Sequence, residues 1–184
     1  MKKFFAISVL LLITSTFTSH TKSEWKTIND NELYSFEIPV YMEAMNDLNS
    51  EASHQFGYIE TKGGEVLELY TIVLFETKKE IESYNLKKEL DILTYSELAV
   101  KNLKGGLKKY KVLTKKPVIQ NLNEMKCVKS EMWGALGSVE VYYKMAIFES
   151  DMAFYQVLSW TINNQKSVFY NEMDQIANSF REQN

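Results

Sequence analysis

The sequence predicts an α+β fold in which an antiparallel β-sheet is flanked by α-helices as an α/β/α sandwich. Three observations carry the prediction. Several stretches alternate apolar and polar side chains with a period of two, as strands with one buried face do. Two other segments repeat apolar residues at helical spacing. The strands come in clusters between those helices, which favours antiparallel pairing over a doubly wound parallel sheet. No Pro-, Gly- or Ser-rich linker, internal repeat or low-complexity segment divides the chain.

The chain opens with MKKFFAISVLLLITSTFTSHTKS. Lys2 and Lys3 precede an apolar run from Phe4 to Ile13, and small polar residues follow. This pattern is that of a secretory signal peptide, too short to span a bilayer as a mature helix; an amphipathic or buried N-terminal helix is the alternative. Thr18, Ser19 and Thr21 all offer a small residue for cleavage. No cysteine follows the run, so attachment through a lipobox-type Cys is excluded. Residues 1–21 are expected to be the leader and residues 22–184 one domain, periplasmic or extracellular and without a transmembrane segment.

In "LYSFEIPVYM", Tyr34, Phe36 and Ile38 alternate with Ser35 and Glu37, and Pro39 removes a backbone donor. A half-buried edge strand is expected. "EVLELYTIVLFETK" sets Leu67, Leu69, Thr71, Val73 and Phe75 on one side. In "SYNLKKELDILTYSELAVKNLKGG", Leu86, Leu90, Leu93, Val100 and Leu103 form a helical stripe. Ser83 or Asn85 could cap it, and Gly105–Gly106 supplies a left-handed stop. "KYKVLTKK", "PVIQNL" and "MKCVKSEMW" read as short strands, with turns at Gly63–Gly64 and Gly134–Gly137. "SVEVYYKMAIFES" and "MAFYQVLSWTI" form a hairpin about Ser150–Asp151. Its first strand aims Val139, Val141, Tyr143, Met145 and Ile147 one way and Glu140, Tyr142 and Lys144 the other. A closing helix, capped by Asn163 or Asn164, puts Phe169, Met173, Ile176 and Phe180 on one face.

Together the "YSFEIP" strand, the late hairpin and "QIANSF", with Ile176, Ser179 and Phe180 in an I-x-x-S-F pattern, resemble the PsbP-like fold. That fold is shared by the photosystem II extrinsic subunit PsbP and secreted bacterial proteins of the DcrB type. The resemblance covers most of the chain beyond the leader but rests on core and topology features. It implies an antiparallel sheet with flanking helices and a binding or assembly role without catalysis. No functional residue of the chloroplast protein has a match here.

The catalytic inventory is thin. With the leader gone, His54 is the only imidazole of the domain, and no G-x-S-x-G elbow occurs. Ser53 is its sequence neighbour, which in a strand would point to the opposite face. One His and one Cys give no zinc spacing. "DLNSE" places Asp47, Asn49 and Glu51 at alternate positions, but Ala52 and Tyr58 stand where a calcium loop needs Gly and Glu, so a polar turn with Asp47 capping is expected. Phosphate loops are absent, and no metal or cofactor is expected. Cys127 is the only cysteine and shares a strand face with Met125, so a buried structural thiol is expected and no intrachain disulfide is possible.

Charge is the one feature above background. Removing residues 1–21 leaves 19 basic against 24 acidic side chains. Residues 101–116 hold Lys101, Lys104, Lys108, Lys109, Lys111, Lys115 and Lys116 and no acid, so the rest of the domain has 12 basic against 24 acidic groups. The segment is a candidate contact for an anionic partner, while lysines near a helix C-terminus or on an edge strand also serve the dipole and discourage aggregation. Nucleic acid is not expected, given the acidity and the absence of arginine in the segment. Of the 24 aromatic residues, Trp133, Tyr142 and Trp160 would line a groove if they met on one exposed face. The expected function is that of a secreted, monomeric, non-catalytic binding or accessory protein of the cell envelope, its partner an unidentified protein or anionic envelope component. A small carboxylate-based hydrolase, or a carrier of an apolar ligand between sheet and helix, is the alternative.

Overall fold

The computed structural model describes residues 24–30, 33–83 and 90–183. The proposed leader, Asn85 and Leu86 lie outside them. Strands β1 (Trp25–Asp30), β2 (Tyr34–Pro39) and β11 (Arg181–Glu182) form a three-stranded sheet with β2 in the middle. The expected edge strand is therefore a central one. Pro39 still ends it, opposite Trp25. Tyr34, Phe36 and Ile38 are fully buried because β2 also packs on the closing helix and the larger sheet.

The larger sheet has eight strands. Its order is β3 (Glu43–Ala44), β4 (His54–Lys62), β5 (Glu65–Thr77), β10 (Ala153–Ile162), β9 (Val139–Glu149), β8 (Met125–Leu136) and β6 (Lys109–Val112), with β7 (Ile119–Leu122) also on β8. All pairings are antiparallel. Gly63 and Gly64 turn β4 into β5 with positive φ, and β9 joins β10 at Ser150–Asp151. The β8–β9 turn is tighter than expected: only Gly137 has positive φ, and Gly134 continues β8. Strand β8, read as a short strand, runs for 12 residues.

A short helix α1 (Lys78–Glu82) starts on a capping box between Thr77 and Glu80 and ends at Ser83, which closes this helix instead of opening the next. Helix α2 (Ile92–Gly105) is capped by Asp91, which accepts from the Thr94 N–H. Its buried face is Ile92, Tyr95, Ser96 and Ala99; Leu93 is exposed, and Val100 and Leu103 pack at the flank. Gly106 follows with φ −87°, so the expected left-handed stop is absent. A 3-10 turn, Asn163–Gln165, leads into α3 (Lys166–Ser179), and Gln165 rather than either asparagine precedes its first residue. Phe169, Met173, Ile176 and Phe180 are buried as expected.

The two faces of β9 show where the helices lie. Tyr142, Ala146 and Phe148 join the cluster containing α3 and β2. Met145 and Ile147 join Ile92, Tyr95 and Ala99 of α2, and Val141 and Tyr143 meet Leu103 and Leu107. Both faces of this strand are thus buried, and Tyr142 and Lys144 point into packed surroundings instead of solvent. Cys127 is buried beside Met125, and burial pushes its thiol up to about 11. No helix among the described residues is long and apolar enough to cross a membrane.

Candidate functional site

The lysine-rich segment begins in the last turns of α2 and continues along β6, the outermost strand of the larger sheet. Lys101, Lys108, Lys109, Lys111, Lys115 and Lys116 are exposed, and Lys104 is half-buried with Nζ 5.1 Å from the Tyr110 ring centroid. Register divides them about the edge. Lys109 and Lys111 pair with Ala135 and Trp133, whereas Tyr110, between them, carries Lys104 on the α2 side. The lysines therefore wrap a rim and do not share one flat face. Among the described residues none of the seven forms an ion pair. Five lysines elsewhere do: Lys78 and Lys126 on Glu149, Lys129 and Lys144 on Asp174, and Lys166 on Glu131.

The groups able to do chemistry are occupied. Ser53 and His54 converge on the Tyr34 hydroxyl, at 2.5 Å to Ser53 Oγ and 2.9 Å to His54 Nδ1, with Asp30 3.6 Å from the same nitrogen. This corrects the expectation that Ser53 points away: it sits in the bend before β4, where strand alternation does not apply. Ser53 donates its own proton to the Val73 carbonyl, so no base faces that proton. The Tyr34 hydroxyl then donates to Ser53, leaving His54 Nδ1–H as the donor to Tyr34. Burial raises the Tyr34 hydroxyl far above its ordinary range, which suits a structural donor.

A second cluster lies between α3 and the sheet. Lys144, 5% exposed, is 2.8 Å from Asp174 Oδ1 and 3.7 Å from the Tyr170 ring centroid; Lys166 stands over Tyr142 and near Glu131, which accepts from the Tyr170 hydroxyl at 3.0 Å. Burial works against the Asp174 charge, but Lys144 and Lys129 outweigh it and hold the carboxyl below its ordinary range. Glu131 is lowered in the same way, against its burial, by Tyr142, Tyr170, Lys144 and Lys166. Burial, and then Glu131, push the Tyr142 hydroxyl up, and among the described residues that hydroxyl lacks a partner of hydrogen-bonding geometry. Each charge here is met by its neighbour. The sequence signal for the cluster was present, since Glu131 and Lys144 sit on strands already assigned, but their pairing with α3 is a tertiary fact.

A groove of about 410 Å³ runs between α2 and the β5–β10 floor, with Leu74 and Leu158 below and Glu76 and Gln156 at one end. Gln156 donates to the Tyr95 hydroxyl at 2.7 Å, and Tyr95 donates to Glu76. Trp133 and Tyr142 are register partners on the α3 side, but Trp160 stacks on Tyr70 across the sheet's other face, so the three aromatics do not meet. In the "DLNSE" turn the organising side chain is Gln55, which accepts from the Leu48 and Asn49 N–H groups, and not Asp47. No group of three or more His, Cys, Asp or Glu among the described residues could hold a metal ion.

No protein-family model matches the chain, and no curated protein matches it. Solved structures do. LpqN of Mycobacterium tuberculosis, a protein involved in cell envelope biogenesis, superposes with a TM-score of 0.57 at 8% identity, over 88% of this chain and 91% of that one. Cyanobacterial PsbP (CyanoP) of Synechocystis sp. PCC 6803 gives 0.54 at 10% identity, over 86% and 92%. A Pseudomonas aeruginosa protein of unknown function gives 0.52 at 12% identity, over 82% and 92%. The chain has a PsbP-like α+β fold, its described residues forming mostly antiparallel strands with three α-helices.

Proposed function

We propose that this chain is an exported accessory protein of the cell envelope that binds an anionic partner through the lysine rim of β6 and α2, without catalysis and without a cofactor. In this reading residues 1–21 are a cleaved leader. Residues 22–184 are one α/β/α sandwich that works as a monomer, with α2 on one face of the sheet and α3 on the other. The observation that carries the reading is the contrast between lysines. Those between α3 and the sheet are neutralised by half-buried carboxylates, whereas the seven of the rim stand exposed or half-exposed with no carboxylate partner among the described residues. A folded chain with an excess of acids that leaves a cationic edge unneutralised has kept that charge available for an external anion. The envelope role of LpqN, on the same fold, is consistent with this setting.

Capture of partners from native envelope and culture medium tests the reading. The protein should retain an anionic component that a K108E/K109E/K115E/K116E variant loses. Equal recovery by both would overturn it. N-terminal sequencing of the protein recovered outside the cytoplasm should begin shortly after Thr18, and an intact Met1 there would remove the leader from the reading.

A further inference from the structure

At the end of the larger sheet where β8 turns into β9, apolar side chains stand exposed next to the lysine-bearing strand β6. Leu136 and Val139 are register partners on either side of the turn, and they are 58% and 44% exposed. The Lys108 N–H donates to the Ala135 carbonyl, and Lys109 pairs with Ala135, so the start of β6 lies against this turn. Tyr110 comes next, 50% exposed, with Lys104 over its ring. Three residues separate the end of helix α2 from the start of the same strand. The acid beside Val139, Glu140, is held by the Asn163 amide at 3.3 Å. One tip of the molecule thus carries Tyr110, Leu136 and Val139 on the α2 face of the sheet, with Lys104 over Tyr110, Lys108 bonded to β8, and Lys109 on the opposite face of the same edge strand.

We propose that this tip docks onto an anionic lipid surface. Tyr110, Leu136 and Val139 enter the boundary between headgroups and acyl chains, and Lys104, Lys108 and Lys109 meet the lipid phosphates. The inference rests on the reading of the rim as an anion-binding surface and narrows its partner to a bilayer. A soluble polyanion interacts with the cations alone and gains nothing from Leu136 or Val139. A bilayer interacts favourably with both classes, because lysine stems lie along apolar surface while their ammonium groups stay at phosphate depth. Tyrosine suits the same boundary, with an apolar ring and a polar tip. Two side chains on one turn bury little area, so attachment is reversible and needs the charges as well.

Vesicle pelleting tests this, using the protein as processed by the cells that make it. Vesicles of phosphatidylcholine alone are compared with an equimolar mixture of phosphatidylcholine and phosphatidylglycerol, and dextran sulfate serves as a soluble polyanion. The protein should pellet with the mixed vesicles, bind dextran sulfate and leave phosphatidylcholine in solution. K104E/K108E/K109E should lose vesicle binding by about a hundredfold, at roughly fivefold per neutralised lysine, and should lose dextran sulfate too. L136D/V139D should lose vesicle binding by about tenfold or more and keep dextran sulfate. L136S/V139S, read against the same circular dichroism as the parent, guards against misfolding. Unchanged vesicle binding by both turn variants would overturn the lipid inference and leave the anionic reading standing. Unchanged dextran sulfate and vesicle binding by the lysine variant would overturn the underlying reading as well.

Discussion

Asp174 and Lys144 show how one residue pair decides whether a charge is structural. Lys144 is almost fully buried on β9, and Asp174, 38% exposed on α3, closes over it at 2.8 Å. Replacing Asp174 by Asn leaves that ammonium buried without its direct ion-pair partner, with only the more distant Glu131 to offset it. The expected cost is about 2 kcal/mol at neutral pH, discounted from the roughly 3–5 kcal/mol of a fully buried pair because Asp174 remains partly hydrated. The folded carboxyl titrates below its ordinary 3.8, so its stabilisation is fully present above that value and is lost as pH falls through the folded value. The denaturant midpoints of the protein and D174N should therefore differ at neutral pH and converge in strong acid. A gap that stayed constant with pH would show that Asp174 acts through packing or hydrogen bonding and not through charge.

At the scale of elements, the β8–α2 contact is set by a missing side chain. Gly134 lies inside β8, and a Cβ there would come within 2.4 Å of Leu107 Cδ1. Leu107 follows α2 and packs on Met132, Val141 and Tyr143, so the glycine lets the end of the helix settle onto the sheet. Gly134→Val should destabilise by about 1–3 kcal/mol through overpacking. Combining it with Leu107→Ala should recover part of that loss, a coupling readable from a double-mutant cycle in urea. Strictly additive losses would place the strain elsewhere. The same contact explains why the α2 stripe departs from the leucine spacing. The helix begins at Asp91, the nearest residue able to cap it, and so presents Ile92, Tyr95 and Ala99 to the sheet while Leu93 turns to solvent.

For the molecule as a whole, Phe180 couples the two sheets. It is fully buried, its ring 4.7 Å from Phe148 of the larger sheet and 5.2 Å from Tyr34 of the smaller. Its backbone carbonyl accepts from Asn123 in the β7–β8 turn, which ties the chain end to the same junction. Phe180→Ala should cost about 3–5 kcal/mol. Amide exchange in β1 and β2 should accelerate more than in β9, because β2 pairs over only six residues whereas β9 pairs along its length with both β8 and β10. Uniform acceleration across both sheets would mean that they unfold as one unit. The lysine rim lies on β6, at the edge of the larger sheet, whereas Phe180 sits at its junction with the smaller one, so loss of the Phe180 anchor and loss of rim charge are expected to act independently.

The sequence by itself determined seven of the strands (β2 and β5 to β10), the two amphipathic helices, the late hairpin, the buried cysteine and the location of the lysine excess. Each of these follows from local periodicity, from composition or from a turn residue. The PsbP-like fold was legible as a family resemblance, carried by the strand ending at Pro39, the late hairpin and the I-x-x-S-F pattern ending at Phe180. Only the tertiary structure decided that β2 is a central strand, that Tyr142 and Lys144 are enclosed, and that Ser53 meets His54 at one tyrosine. It also decided that the rim lysines wrap an edge whose first strand residues lie against the β8–β9 turn. Periodicity reports that a face is buried but carries no information on which distant segment covers it. That choice is made by contacts between residues far apart in the chain, and it separates a neutralised lysine from an available one.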